Sequence, residues 1–83
     1  MSQKEYIKIK LDLINKLAEY IISKPDLYKK YSDCSYVIYI KSNYSFNAKN
    51  KRLIESLKRE KKKIVRAQFV ENNHVEWRFT TLN

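Results

Sequence analysis

The chain has 83 residues, of which 43% are hydrophobic, so it can build one modest core but not two. Its 18 lysines and arginines against 9 acidic residues give a net charge of +9, which favours a polyanionic partner such as nucleic acid or an anionic membrane surface. A single cysteine and a single histidine exclude an internal disulfide and offer no recognisable metal-ligand spacing, so we expect neither metal nor cofactor.

No apolar run approaches the roughly 20 residues that span a bilayer, and the amino terminus lacks the apolar core of a signal peptide. These absences predict a cytoplasmic protein. The chain contains no glycine, one proline, and abundant Lys, Ile, Tyr and Asn. In composition and size it resembles the small early proteins of viruses and plasmids, which makes a viral or plasmid source an expectation, with the host cell as its location.

A long helix is predicted from Gln3 to Ser23. Ser2 and Glu5 have the spacing of a capping box, and Pro25 ends the helix because a residue before proline is pushed out of helical geometry. The apolar residues at helical spacing are Ile7, Leu11, Ile14, Ala18 and Ile21, with Leu13, Leu17 and Tyr20 beside them. The alternation of apolar residues over Tyr6 to Leu11 leaves a strand there as an alternative.

The middle of the chain predicts a connector, a strand and a second helix. Residues Lys24 to Ser35 form the connector, with a helical turn around residues 26–30. Tyr36 to Ile40 is apolar at every position, which is typical of a strand covered on both sides or of a central strand. After a polar loop, Ser45 or Asn47 can cap a second helix that runs to Glu60.

The last part of the chain predicts a β-hairpin. Residues 64–70 and 75–81 both alternate, so that Val65, Ala67 and Phe69 share one face, as do Val75, Trp77 and Phe79. A two-residue turn would pair Phe69 with Glu76 and spoil both apolar faces. A loop of odd length pairs Phe69 with Val75 or Trp77, so we predict an odd loop with an asparagine in the left-handed region.

These elements predict a single α+β domain over residues 1–83, in the order helix, strand, helix, strand, strand. The first two strands are far enough apart in the chain to be parallel, and the hairpin adds an antiparallel strand, which gives a three-stranded mixed sheet. Two alternatives remain. A basic helix followed by a hairpin is similar to a winged helix, and a strand at Tyr6 to Leu11 would give the order β-α-β-α-β-β.

A basic segment, residues 49–66, contains nine cations and two acids, a net charge of +7 out of the total of +9. Cations gathered on one helix and its exit can neutralise several phosphates at once. The basic residues of this segment that belong to the predicted second helix lie on the side of that helix opposite Leu53, Ile54 and Leu57. With the strand arginine Arg78, the candidate nucleic-acid-binding residues are Lys49, Lys51, Arg52, Lys58, Arg59, Lys61, Lys62, Lys63, Arg66 and Arg78.

Two aromatic residues in the polar loop, Tyr44 and Phe46, are candidates for stacking on bases, although filling the core is the other role open to them. Arg66 and Arg78 lie on the strand face opposite Phe69 and Trp77. They extend the basic surface if that face is open, and reach only its rim if a helix covers it.

Catalysis has little support in the sequence. His74 lies in a turn, no base is spaced to activate Cys34, and a chain without glycine has no phosphate-cradling loop. We therefore expect a nucleic-acid-binding protein without enzymatic activity, with DNA favoured over RNA because no RNA-binding module signature is present. The alternative is a protein-interaction module or inhibitor of a host factor that uses the same basic face against an acidic protein. A membrane partner is not expected, and a homodimer is plausible for so small a core.

Overall fold

A computed structural model describes residues 2–71 and 75–82 of the chain. The predicted α+β order of helix, strand, helix, strand, strand is confirmed, with two short helices added to it. The elements are α1 (Gln3–Ile22), α2 (Pro25–Lys30), β1 (Cys34–Ile40), α3 (Tyr44–Ala48), α4 (Asn50–Arg59), β2 (Lys63–Glu71) and β3 (Val75–Thr81). The chain divides into two compact units, Met1–Ser32 and Asp33–Asn83. The single domain over residues 1–83 stays a prediction.

Helix α1 begins at the predicted N-cap residue, Ser2. The backbone N–H of Glu5 donates to the Ser2 hydroxyl oxygen at 3.1 Å, and Ser2 itself is extended, as an N-cap residue should be. The helix ends at Ile22, three residues before Pro25. The alternative strand at Tyr6 to Leu11, and with it the β-α-β-α-β-β order, is therefore wrong. A hydrogen-bonded first turn and 20 residues of continuous helix outweigh a short apolar alternation.

The buried face of α1 is one side of the predicted apolar set. Leu13, Leu17 and Ile21 are buried, whereas Ile7 and Leu11 of the predicted stripe are 46% and 58% exposed. At 100° per residue, Leu13 and Leu17 lie about 120° round the helix from Ile7 and Leu11. The helix thus carries a second apolar face that remains in solvent.

The connector between α1 and the first strand contains the predicted helical turn as α2. Pro25 occupies its first turn, where a residue without an N–H is tolerated. Tyr31, which follows α2, is 8% exposed. Strand β1 begins at Cys34, two residues before the predicted start, because Cys34 and Ser35 already pair with Lys63 and Ile64 of β2.

The three strands form one mixed sheet in the order β1-β2-β3, with β1 parallel to β2 and β2 antiparallel to β3. This topology is the predicted one, and β1 occupies the place where a winged helix would have a second helix, so the winged-helix alternative is wrong. The central strand is β2. Strand β1 lies at an edge, although Val37 and Ile38, which point to opposite faces, are both buried.

The pairing of β2 with β3 confirms the parity argument. Phe69 pairs with Trp77, and the pairing of Glu71 with Val75 leaves a three-residue loop between the strands. The rings of Phe69 and Trp77 lie 5.1 Å apart. The predicted left-handed asparagine falls on residues 72–74, which lie outside the described residues. Left-handed backbone does occur elsewhere, at Ser42 and Lys61.

Alternation along the strands gives the sheet two different faces. We call one the apolar face, with buried residues Ile38, Val65, Ala67, Phe69 and Trp77. We call the other the mixed face. It carries buried Val37, Ile64 and Val70 together with polar or partly exposed Tyr39, Arg66, Gln68, Arg78 and Thr80.

Helices α3 and α4 replace the single second helix predicted from the sequence. The N-cap is Asn43, whose side chain accepts from the backbone N–H of Phe46 at 3.1 Å, and not Ser45 or Asn47. The helical path breaks at Lys49, which ends α3 and precedes α4, and α4 ends at Arg59. Asn47 is unavailable as a cap because its side chain bonds to strand β1.

Two asparagines hold these helices to the outer edge of β1. Lys41 N–H donates to Phe69 C=O of β2, so by alternation the peptide groups of Ile40 and Ile38 point away from β2. Asn47 bonds both groups of Ile40: its Oδ1 accepts from the N–H and its Nδ2 donates to the C=O, each at 2.9 Å. Asn50, which is 2% exposed, donates through Nδ2 to Ile38 C=O at 2.7 Å.

Helix α4 ends in a Schellman motif built without glycine. Lys62 N–H donates to Leu57 C=O and Lys61 N–H donates to Lys58 C=O, both at 3.0 Å. Lys61 takes the position where glycine is usual, with φ of 58°. A side chain with a Cβ is strained in this left-handed conformation.

We expect Lys61→Gly to raise the free energy of unfolding by about 0.5–1 kcal/mol, because relief of this strain exceeds the entropy that glycine adds to the unfolded chain. Urea denaturation measures the change. Lys61→Ala is the matched control, since it removes the same charge and keeps the Cβ. Equal effects of the two substitutions would attribute the change to charge and contradict the conformational explanation.

Candidate nucleic-acid interface

The candidate interface centres on a groove of about 440 Å³ between α4 and strand β1. Lys51, Ile54, Glu55 and Lys58 line it from the helix, at the spacing of one helical face, and Tyr39 lines it from the sheet. Asn47 and Ala48 of α3 close one part of it. The groove therefore combines two cations, one acid and an aromatic ring.

The four predicted basic residues of α4 divide into two pairs. Lys51 and Lys58 flank the apolar side of the helix and enter the groove. Arg52 and Arg59 are exposed. Each follows one of these lysines directly in the sequence, so its side chain points about 100° further round the helix. The prediction that all four lie opposite the apolar stripe is wrong for the two lysines, because the sheet beside α4 places a groove along that flank.

Arg66 extends the groove onto the sheet. Its guanidinium lies over the Tyr39 ring, 4.3 Å from the ring centre, in a cation–π contact. Arg66 is partly exposed, so it keeps donors for a further anionic partner. The Tyr39 ring thus joins the lysines of α4 to the arginine of β2.

One cross-strand row carries this surface over the whole sheet. Tyr39 pairs with Gln68 and Gln68 pairs with Arg78, so the three side chains lie side by side on the mixed face. Neighbouring strands are about 4.8 Å apart, and the row spans about 10 Å. We call Lys51, Lys58, Tyr39, Arg66, Gln68 and Arg78 together the basic face.

Arg78 has an acidic neighbour on this face. Its Nε lies 3.7 Å from Glu76 Oε1, and both side chains are largely in solvent, at 60% and 41% exposure. An exposed contact of this length contributes little to stability and is readily exchanged for another anion. Arg78 therefore remains available to a ligand.

Lys63 belongs elsewhere. By alternation with Arg66 it lies on the other side of β2, and its Nζ donates to Asp33 Oδ2 at 2.9 Å. The hydrogen bond and charge of Lys63 lower the pKa of the Asp33 carboxyl below its usual range, and Asp33 in turn raises the pKa of Lys63. The pair joins the amino-terminal ends of the parallel strands, on the side of the sheet opposite to the groove.

The remaining predicted cations lie at the ends of α4. Lys49 separates α3 from α4, and Lys61 and Lys62 form the turn after α4; all three are exposed. Lys58 and Arg59 occupy the last turn of the helix, where cations also favour the helix dipole. Part of the basic run therefore has a structural explanation in addition to any ligand.

The two candidate stacking residues differ in their exposure to solvent. Phe46 is 1% exposed and fills the core, so it presents no ring to a base and the stacking role is wrong for it. Tyr44, at the start of α3, is 82% exposed, and its stacking role stays a prediction. Tyr39 and Gln68 were not predicted from the sequence, because only the register of the strands places them beside the predicted cations.

Groups with catalytic chemistry are sparse in the part of the chain that the structure describes. Burial, and then the Asp33 carboxylate, raise the pKa of the Cys34 thiol, which disfavours the reactive thiolate. Within residues 2–71 and 75–82 no three metal-ligating side chains come together, and no helix is long and apolar enough to cross a membrane. His74 lies outside the described residues.

Comparisons of the chain with protein-family models, with curated proteins and with solved structures found no match.

Proposed function

We propose that this protein binds nucleic acid through the basic face, by contacts of Lys51, Lys58, Arg66 and Arg78 with phosphates. The observation that supports the proposal is the presence of cations from α4, β2 and β3 on one side of one sheet. Cations spread along the chain would serve solubility alone. Cations gathered on one face can contact several consecutive phosphates.

The surface suits phosphate contacts better than base reading. The arginine forks of Arg66 and Arg78 can each bond two phosphate oxygens, and the lysines contribute point charges. The amide of Gln68 lies between them and can hydrogen-bond a sugar or a base edge. The Tyr39 ring, covered on one face by Arg66, also lines the groove. Binding of this kind depends on backbone charge and discriminates little among sequences.

The proposal is tested by fluorescence anisotropy of labelled single- and double-stranded DNA and RNA across a salt series. We expect the logarithm of the binding constant to fall linearly with the logarithm of salt concentration, with a slope of about −3 to −4 for four phosphate contacts. DNA is the expected preference, and the four ligands test it directly. The absence of binding at low salt with all four ligands would overturn the proposal and make an acidic protein the leading partner.

A further inference from the structure

Helix α1 carries a second apolar face in solvent. Ile7, Leu11, Ile14 and Ile22 are 46%, 58%, 42% and 76% exposed, although they are large aliphatic residues. With Ala18 they recur at spacings of four, three, four and four residues, which aligns them in one stripe along the helix. A contiguous apolar stripe on a highly charged chain marks an interaction surface.

We propose that this stripe binds the same stripe of a second copy of the chain, so that two α1 helices pack antiparallel in a homodimer. Helix α1 has 20 residues and is therefore about 30 Å long, enough for several layers of side chains between two helices. Spacings of four and three residues are those that keep a stripe facing a partner helix.

The charges beside the stripe favour the antiparallel direction. On one flank of the stripe, Lys8 lies in the amino-terminal half of α1 and Glu19 in the carboxyl-terminal half. An antiparallel pair places the same flank of both helices side by side, so that Lys8 can meet Glu19 of the second copy, and it also opposes the two helix dipoles. A parallel pair would place these flanks on opposite sides of the interface.

One register of the two helices brings apolar residues opposite each other and also brings opposite charges together. With Leu11 opposite Ile14 of the second copy, Ile7 comes opposite Ala18, so a large residue meets a small one. In the same register Lys8 lies beside Glu19 of the second copy, on the flank of the stripe. The two-fold symmetry makes each of these contacts twice.

An anionic membrane is the other surface that such a stripe can bind. Lys8 would favour lipid headgroups, but Glu19 shares its flank and would be repelled by them, whereas Asp12 is already paired with Lys16 of the same helix, Nζ to Oδ2 at 3.1 Å. A second copy neutralises Glu19 with its own Lys8, and the observations therefore favour the dimer.

Sedimentation equilibrium of the full chain tests the dimer, and a charge exchange tests its direction. Wild-type protein should show a reversible monomer–dimer equilibrium. Lys8→Glu and Glu19→Lys should each raise the dimer dissociation constant about tenfold, because two exposed attractions become two repulsions. The double variant should restore it. Residues 8 and 19 are about 16 Å apart along one helix, so the rescue must come from contact between copies.

Leu11→Glu is the second variant, and should raise the dissociation constant on the order of a hundredfold or more by placing two carboxylates in the apolar stripe. Leu11 is exposed in one copy, so circular dichroism should show unchanged secondary structure. A monomer at every concentration, or a dimer that Leu11→Glu leaves intact, would overturn the proposal. So would a double variant that fails to restore dimerisation, or a monomer that cosediments with phosphatidylserine vesicles through this stripe.

Discussion

Reversing the charges of Lys51 and Lys58 should lower the affinity for nucleic acid on the order of a hundredfold at about 0.1 M salt, since each phosphate contact contributes slightly less than tenfold there through counterion release. The slope of the salt dependence should also become shallower by about two. Both lysines line the groove beside Tyr39, where their charges act together with Arg66. Anisotropy titration of Lys51→Glu/Lys58→Glu measures both quantities.

The matched control is Arg52→Glu/Arg59→Glu. Each double variant lowers the net charge from +9 to +5, and the two pairs occupy equivalent places in the first and last turns of α4. Overall charge is therefore equal and the helix-dipole effects are similar. The pairs differ in the direction of their side chains and in residue type, and because arginine binds phosphate at least as well as lysine, residue type alone would make the arginine variant lose more affinity. We expect the arginine variant to lose much less affinity. Equal losses would mean that diffuse positive charge attracts the ligand, and that the groove is not its site.

Substitution of Asn47 should destabilise the fold far more than substitution of an exposed polar residue. Asn47→Ala should lower the free energy of unfolding by about 2 kcal/mol, because it removes two hydrogen bonds and leaves both peptide groups of Ile40 short of a side-chain partner. Asn47→Asp should be at least as harmful: it keeps an acceptor for the N–H but places a carboxylate oxygen against the Ile40 carbonyl. Urea denaturation measures both variants.

Asn15→Ala is the control for Asn47. Asn15 is an exposed asparagine within α1, and its replacement should change stability by less than about 0.5 kcal/mol. An Asn47→Ala variant that unfolds within this same margin would show that the two bonds to β1 contribute nothing net.

The elements governed by local pattern were predictable. The Ser2 cap and Pro25 bound α1, and the alternation on either side of residues 72–74 decided the pairing of Phe69 with Trp77. A shift of one residue in that hairpin would have placed Phe69 opposite Glu76, so the hydrophobic pattern favours the observed register. The mixed topology followed from the lengths of the connections.

The division of the second helix was not predictable from the sequence. Asn47 reads equally well as an N-cap or as an interior residue, and its bond to Ile40 requires knowledge of the fold. Likewise, α1 contains enough apolar residues for two faces, and local periodicity does not state which face the protein buries. In both cases tertiary contacts chose among patterns that the sequence made equally acceptable.

The candidate site was predictable in its charge but not in its geometry. The basic segment contains all of the relevant α4 cations, yet Lys51 and Arg52 are adjacent in sequence and diverge in space. Lys63 illustrates the same limit: its charge is indistinguishable from that of its neighbours until the partner Asp33 is located. The role of Tyr39 depends on the register of β1 with β2, which no local pattern encodes.

The bonds from Asn47 and Asn50 to the outside of β1 also bear on how the protein avoids aggregation. Residues 36–40 contain only β-forming apolar and aromatic side chains and no charge, which is the composition that promotes pairing with strands of other molecules. Asn47 of α3 and Asn50 of α4 occupy outward-facing backbone groups of Ile40 and Ile38, to which a strand of another molecule would otherwise bond. Solubility therefore depends on two asparagines as well as on the net charge, and high salt, which screens the charge, leaves them as the principal barrier to intermolecular strand pairing.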